Sequence, residues 1–258
     1  MQKSMLNLLI TPSIPGLQLL MSIAVASSML AFFPNKKIAQ VDLPKIQKRL
    51  ITLFKSKGMP QCIRVDNGLP LGSPSQDIIP ILSLWLISLG INMIWNRPSR
   101  PRDNAKVERA QRTLRDWAEP SRWHDPAQLQ EAMNRAIETY NQYYQVSRLG
   151  GQTRAQVYPK LLKHTGNRYQ KRQASFRLVL EALAKRTWKR KVAKSGQVYI
   201  FNQRFMVGKN FANQYLSIQI DPKNNQWKCF DQNSNLVKTQ PTKLSIRQIQ
   251  KLIPFKDA

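Results

Sequence analysis

Asp66 is the first residue whose type and position could support chemistry. Residues 62–65 form a short, mainly apolar run with β-branched side chains, and Asp66, Asn67 and Gly68 end it with a turn signal. We therefore predict a strand over this run, with the Asp66 carboxylate facing solvent at its C-terminal end. Considered alone, Asp66 is more often explained as an ordinary turn aspartate.

Glu108 is the second such residue. It lies one turn into a predicted helix that Asp103 or Asn104 can cap, and the apolar stripe of this helix continues through Leu114 and Trp117. Between the two acids, residues 78–94 predict a buried helix followed by a short strand. Alone, Glu108 is equally explained as a solvated helix residue.

Together, a strand-end aspartate and a helix-borne glutamate can converge on a divalent metal. Mg²⁺ and Mn²⁺ prefer carboxylate oxygens, and Mg²⁺ keeps several waters that a substrate phosphate can replace. Two such ions, roughly 3.5–4 Å apart, can activate a water or a 3′-hydroxyl and stabilise the leaving oxygen. The pair therefore suits metal-dependent phosphoryl transfer.

Four motifs around these acids resemble the integrase catalytic core. They are the Ile-Arg-Val-Asp-Asn-Gly of residues 63–68, the Gly-Ile of 90–91, the Asn-Arg-Pro of 96–98 and the Asp-Asn-Ala-Lys-Val-Glu-Arg of 103–109. This core is shared by retroviral integrases and insertion-sequence transposases and has the RNase H-like fold. The resemblance covers roughly residues 23–159 and is most specific over 63–115.

The resemblance implies roles for particular residues. Asp66 and Glu108, 42 residues apart, would be the second and third acids of a D,D,E triad that binds Mg²⁺ or Mn²⁺. Arg115 follows Glu108 by seven residues and therefore lies on the same helix face. Asn67 and Asn104 would shape the site. The DNA-contacting residues of this region would be Lys106, Arg109, Arg112 and Arg115.

The first acid of such a triad is missing from its expected place. Residues 1–41 contain no Asp or Glu, and Asp42-Leu43-Pro44 predicts a helix cap followed by an early proline. If residues 6–10 replace the first strand, the catalytic position falls near Thr11 or Ser13, which carry no carboxylate. We therefore expect an N-terminally truncated, catalytically impaired copy with weak or absent metal binding. An active strand transferase that uses another acid is the alternative.

Residues 1–33 allow two interpretations. No residue between Lys3 and Lys36 is charged, and residues 17–33 are mostly apolar, so a membrane-anchored basic nucleic-acid-binding protein without enzymatic activity is one reading. The prolines, Gly16 and the serines interrupt that span. The resemblance instead implies core strands at 23–25 and 29–33, after a divergent segment over 1–16. We favour the strands and expect no membrane association.

Composition indicates a polyanionic partner. The net charge is +27 over 258 residues, for which nucleic acid is the usual partner. Cys62 and Cys229 form no metal or redox motif, which fits a reducing cytoplasm. His124 and His164 are isolated and are not expected to be ligands. No nucleotide-binding glycine motif or zinc-finger spacing occurs. We expect DNA rather than a small molecule as the partner.

Residues 160–258 form a basic module, with 21 basic and four acidic residues. Residues 160–187 predict a helical linker. The alternating runs at 198–201, 204–207, 215–220 and 227–230 predict a small all-β, SH3-like barrel over 188–258. This barrel resembles the DNA-binding barrel that often follows the integrase core. Its candidate DNA contacts are Lys189, Arg190, Lys191 and Arg204.

The expected architecture is therefore α/β. An RNase H-like mixed sheet with flanking helices spans residues 17–159, and the barrel follows the linker. Helices are predicted at 42–58 and from Asp125, the latter with a core stripe of Leu129, Met133, Ile137 and Tyr140. The expected function is transposase- or integrase-type transfer on DNA bound largely without sequence preference, with homo-oligomers left open.

Overall fold

The computed structural model describes residues 8–11, 42–73, 78–100, 102, 105–159 and 168–253. The chain is a mixed α/β protein that divides into two compact units. The first unit comprises Met1–Pro74 with Ile91–Gln170, and the second comprises Ser75–Gly90 with Lys171–Ala258. The strands predicted at 23–25 and 29–33, the apolar segment 17–33, and Ser13, Asp103 and Asn104 lie outside the described residues.

Among the described residues, the sheet of the first unit contains three short strands in the order β1-β2-β3. They are β1 (Leu8–Thr11), β2 (Cys62–Val65) and β3 (Asn92–Trp95). β1 is antiparallel to β2, and β2 is parallel to β3. The strand predicted before Asp66 and the strand predicted after the buried helix are both present.

The direction of β1 corrects one expectation. Leu8 lies opposite Val65, and Thr11 lies opposite Cys62, so Thr11 is at the end of β2 that is distant from Asp66. The prediction that Thr11 takes the position of a catalytic acid is therefore wrong. An apolar run identifies a strand, but it does not say in which direction that strand pairs.

The helices of the first unit follow the predicted apolar stripes. Ile46, Leu50 and Phe54 of the first helix are buried. Asp42 caps this helix by accepting a hydrogen bond from the Lys45 backbone N–H at 3.1 Å, as predicted. The helices are α1 (Leu43–Lys57), α3 (Ala105–Ala118), α4 (Pro126–Glu138) and α5 (Arg154–Val157), with 3₁₀ turns at Pro120–Arg122 and Ser147–Leu149 and a π-helix at Thr139–Tyr143.

α3 and α4 pack through a core that is rich in alanine. Leu129, Met133 and Tyr140 are buried, as predicted, and Ile137 is partly buried against the same core. Trp117 differs, since 38% of it is exposed and it does not continue the apolar stripe. The buried residues of this cluster are Ala110, Leu114, Ala118, Leu129, Ala132, Met133, Ala136 and Tyr140.

The second unit contains a four-stranded antiparallel sheet in the order β4-β7-β8-β9 and a separate hairpin of β5 and β6. The four predicted strands are present, whereas β4, β9 and the final helix were not predicted. The strands are β4 (Trp188–Lys191), β5 (Gln197–Ile200), β6 (Gln203–Met206), β7 (Tyr215–Asp221), β8 (Gln226–Phe230) and β9 (Leu236–Pro241). The helices are α2 (Ile81–Ser88), α6 (Phe176–Ala184) and α7 (Ile246–Gln250), with 3₁₀ turns at Lys171–Gln173 and Lys209–Phe211.

The hairpin turn lies one residue earlier than the sequence suggested. Phe201 and Asn202 have φ values of 48° and 56° and form the two-residue turn. Gln203 begins β6 and is buried, where its Oε1 accepts a hydrogen bond from the Trp227 indole N–H at 3.1 Å. Trp188, Phe201 and Trp227 pack their rings together at centroid distances of 5.6–5.7 Å.

The compact units differ from the predicted domain boundaries. α2 packs against α6 and α7 of the second unit, although the prediction kept residues 75–90 within the 17–159 core. The Ser175 backbone N–H donates to the Ser88 carbonyl at 2.7 Å. α6 buries Val179, Leu180 and Leu183, so this part of the predicted linker is a packed helix. A helix that is apolar on all sides, such as α2, does not indicate in its sequence which partner will cover it.

Within the described ranges, no helix is long and apolar enough to span a bilayer.

Candidate active site

Asp66 lies immediately after β2, at the position predicted for it. Its side chain is half-buried, and its Oδ1 accepts a hydrogen bond from the Gly68 backbone N–H at 3.2 Å. The Gly72 N–H in turn donates to the Gly68 carbonyl at 2.7 Å. A Cβ at Gly72 would lie 2.5 Å from the Asp66 carbonyl oxygen, so the loop closes over its own backbone at this point. These contacts hold the carboxylate in one orientation.

Asn67 and Asn96 join the C-terminal ends of the two parallel strands. The Asn67 amide Nδ2 donates to the Asn96 carbonyl at 2.9 Å, and the Asn96 N–H donates to the Val65 carbonyl at 2.9 Å. The Trp95 indole N–H donates to the Leu71 carbonyl at 3.0 Å, which ties the other end of the loop to β3. These bonds give the predicted shaping role of Asn67 a physical basis.

Glu108 lies in the first turn of α3, and its side chain is exposed. The pKa of Asp66 is raised above its ordinary value, first by burial and also by the negative charge of Glu108, while the Gly68 N–H acts in the opposite direction. A like charge affects a neighbouring carboxyl only at short range. The charges of Asp66 and Glu108, which are 42 positions apart in the sequence, therefore interact in the folded chain.

The acid pair fits a single divalent cation. Mg²⁺ is commonly held by one or two carboxylates, with waters and substrate phosphate completing its shell. In the described structure, the buried Oδ1 atoms of Asn67 and Asn96 accept no hydrogen bond, so both are acceptors suited to a water of that shell. Among the described residues, no group of three or more His, Cys, Asp or Glu side chains could hold a metal. The donor set matches a partly hydrated ion rather than a closed cage.

The predicted basic residues of α3 lie on its solvent side. Arg109, Arg112 and Arg115 are exposed, and the spacing of Arg112 and Arg115 places both on the face of Glu108. The Arg115 Nε lies 3.5 Å from the Asp116 carboxylate in an exposed pair that contributes little stability. The side chain of Lys106 lies outside the described part of the structure.

The basic residues of β4 lie on both faces of the strand, because side chains alternate between the two faces. Lys189 and Lys191 share one exposed face of β4, whereas Arg190 lies on the opposite face. The Arg190 guanidinium donates to the Tyr199 carbonyl at 3.2 Å. Arg204 is exposed on β6. The predicted set of four cations is therefore not one continuous cluster on a single strand face.

Lys189 lines an open cleft of about 690 Å³ on the β4–β7–β8 sheet. Tyr215, Ser217 and Gln219 of β7 lie along the same cleft. Its polar side chains and its lysine can contact a phosphate backbone, whereas Asp231, which also lines the cleft, repels one.

Gly72 and Asn96 were not identified as site residues from the sequence. Asn96 belongs to the Asn-Arg-Pro motif, but nothing in that motif shows that its carbonyl receives the Asn67 side chain. Gly72 follows Gly68 by four residues, and this spacing was the available signal for a closed loop.

A comparison with known families identifies part of this arrangement. Residues 89–153 match the model of the integrase core domain. The match includes β3, α3 and α4, and it contains Glu108, Arg109, Arg112 and Arg115. This segment of the chain is therefore similar to the catalytic core of integrases and transposases.

The pKa of Asp66 leads to a test of its electrostatic setting. Because the folded-state pKa of Asp66 is raised, ionisation of Asp66 destabilises the folded protein. The free energy of unfolding therefore falls as the pH rises from about 3.8, the ordinary pKa, through the pKa of the folded state. We expect Asp66→Asn, which keeps the acceptor for Gly68, to stabilise the protein at pH 7 and to have no such effect below pH 3.8. Urea denaturation at both pH values measures this difference.

Asp42→Asn is the matched control, because hydrogen bonds from Lys45 lower the pKa of Asp42. Its ionised form stabilises the fold, so the control should lose stability at pH 7 rather than gain it. A stability change of Asp66→Asn that is the same at both pH values would contradict the account.

Proposed function

We propose that this chain is a transposase- or integrase-type protein that binds DNA and a divalent metal at Asp66 and Glu108, with an RNase H-like first unit and an SH3-like barrel in the second. The observation that carries this proposal is the match of residues 89–153, which contain Glu108, to the integrase core domain, with Asp66 at the end of the strand that pairs with β3 of that segment. The parallel pair of β2 and β3 and the α3–α4 packing are consistent with that core.

The protein's own groups would bind and orient a phosphodiester at this site. Asp66 and Glu108 would hold Mg²⁺ or Mn²⁺, which supplies activation of an attacking oxygen and stabilisation of a leaving oxygen when bound. The Gly68 N–H keeps the Asp66 carboxylate oriented. Arg112 and Arg115, on the Glu108 face of α3, would contact neighbouring phosphates and fix the register of the strand.

Catalysis by this chain is impaired in our proposal. Metal-dependent transfer of this type uses two ions, and two carboxylates are a small donor set for both. Asp42, the remaining early acid, is engaged as a helix cap with Lys45. Thr11 is at the wrong end of β1 to approach Asp66. An active enzyme that recruits a further acid is the competing proposal.

The second unit supplies DNA affinity through charge. Lys189, Lys191 and Arg204 are exposed on its strands, and Lys189 borders the polar cleft of the β4–β7–β8 sheet. Contacts to phosphates release counterions and carry no sequence information. This unit would therefore bind DNA largely without sequence preference.

A strand-transfer assay with Mn²⁺ on linear DNA separates the two catalytic proposals. We expect the wild-type protein to bind DNA but to produce no more joined product than Asp66→Ala does, because the set of catalytic carboxylates is incomplete. Asp42→Asn serves as a control for loss of a carboxylate outside the site. If the wild-type protein joins DNA and Asp66→Ala does not, the proposal of impaired catalysis is wrong and the active enzyme is favoured. If the wild-type protein does not bind DNA, the DNA-binding proposal is wrong.

DNA affinity should fall as the salt concentration rises, and the steepness of this fall should depend on individual lysines. We expect Lys189→Gln to reduce the slope of log K against log salt by about 1, since one phosphate contact is lost. Fluorescence anisotropy with a duplex at several salt concentrations measures the slope. Lys223→Gln, an exposed lysine of the same unit outside the proposed face, is the matched control. Equal slopes for both variants would argue against the Lys189 contact.

A further inference from the structure

A group of planar side chains is partly exposed where α3 ends. Trp117 is 38% exposed and Tyr144 is 46% exposed, and their ring centroids are 5.2 Å apart in an edge-to-face arrangement. Tyr140 lies beneath both, with its ring centroid 6.0 Å from Trp117 and 6.4 Å from Tyr144. The Tyr140 and Tyr144 rings are nearly parallel, with an interplanar angle of 7°. The buried tyrosine thus supports two rings that solvent can reach.

Arg154 contacts both tyrosine rings of this group. Its guanidinium carbon lies 3.5 Å from the Tyr140 ring centroid and 5.7 Å from that of Tyr144. Its Nη1 donates to the Tyr140 carbonyl at 2.7 Å. Tyr140 belongs to the π-helix Thr139–Tyr143, and such π-turns are frequent at functional sites. A preorganised set of rings loses little conformational entropy when a ligand stacks on it.

Arg148 and Arg154 place positive charge beside the tyrosine rings. Burial and the neighbouring Arg148 both lower the pKa of Arg154 without removing its charge. Among the described residues, no carboxylate forms an ion pair with Arg148 or Arg154. An anionic ligand with a flat ring would complement both the charge and the aromatic surface.

Trp117 also borders a small recess between α3 and α4. Its volume is about 220 Å³, below the roughly 300–1,000 Å³ of usual small-molecule pockets, so it suits a single flat ring. Alanines form part of its lining and leave room that larger side chains would fill. The residues that define it are Trp117, Trp123, Ala132, Ala136, Arg122 and Arg135.

Each of the two arginines of the recess forms an exposed ion pair. Arg122 lies 2.9 Å from Glu119, and Arg135 lies 2.7 Å from Glu131. Exposed pairs of this kind contribute about 0–1 kcal/mol, so a phosphate can compete for either guanidinium.

We propose that Trp117, Tyr144 and Arg154 form a stacking platform for unpaired bases of DNA, and that the recess beside Trp117 receives one of those bases. The inference deepens the proposed function, on which it rests, by specifying single-stranded DNA as the form bound at this place. Aromatic faces bind successive bases regardless of sequence, and basic residues follow the backbone. Trp117 lies nine residues beyond Glu108 on α3, or roughly 14 Å along the helix, so a few unpaired nucleotides would span both sites.

The test compares single-stranded and duplex DNA of one sequence on the whole protein. Stacking contributes about 1–3 kcal/mol per base, so Tyr144→Ala should weaken single-strand binding about 5- to 150-fold and leave duplex affinity unchanged. Tyr144→Phe keeps the ring and should bind as the wild type does. Tyr199→Ala, which removes a ring that is 48% exposed in the second unit, is the control for general aromatic loss.

A second measurement uses the wild-type protein, so the proposal does not depend on one variant folding. The fluorescence of a 2-aminopurine in a single-stranded oligonucleotide should be quenched on binding, because the base stacks on the rings. The same base in a duplex should be quenched far less. Absence of quenching would overturn the proposal, as would a Tyr144→Ala loss that is equal for both DNA forms. Concentration-dependent dimerisation that Tyr144→Ala abolishes, with single-strand affinity unchanged, would also overturn it by assigning the rings to a second copy.

The outcomes distinguish this proposal from the proposed function. Normal duplex binding with no preference of the rings for single strands overturns the platform alone. Failure of the wild-type protein to bind either form of DNA overturns both.

Discussion

The candidate site depends on the hydrogen bonds that join the ends of β2 and β3. The Asn96 N–H extends the parallel pairing to the Val65 carbonyl, and the Asn67 side chain then bonds back to the Asn96 carbonyl. Asp66 lies between these two attachments, which hold its backbone at the end of β2. The close approach of Gly72 to the Asp66 backbone restricts the loop from the other side. The arrangement holds one acid while α3 supplies the other.

This arrangement has an electrostatic cost. Half-burial and the charge of Glu108 both oppose ionisation of Asp66, whereas hydrogen bonds from the Gly68 and Asp66 backbone N–H groups favour it. A fold selected for stability alone would gain by neutralising one of the two acids. A bound cation reverses the balance, because both carboxylates then face an opposite charge. The raised pKa of Asp66 is therefore what we expect of the proposed metal site when no ion is bound.

Much of the fold was predictable from local patterns, and the errors have physical causes. The strand before Asp66, the Asp42 cap and the buried stripe of α4 follow from periodicity and capping chemistry, which act within a few residues. The antiparallel direction of β1 and the packing of α2 with α6 depend on partners distant in sequence. The two acids are predicted from their type, their setting and the resemblance to the integrase core, whereas the Asn67–Asn96 bond depends on a backbone carbonyl that no residue type reveals. Trp117 was assigned to the core because its spacing fits the stripe, yet it lies at the edge of that face beside Tyr144.

The most direct test of the central claim is the effect of Mn²⁺ on thermal unfolding. If Asp66 and Glu108 share one ion, the metal should stabilise the wild-type protein by about 2.7 kcal/mol at 100 times its Kd. Asp66→Asn and Glu108→Gln should each abolish that gain, while Asp42→Asn should retain it. A Glu108→Gln variant that gains as much from Mn²⁺ as the wild type would show that the two acids do not form one site.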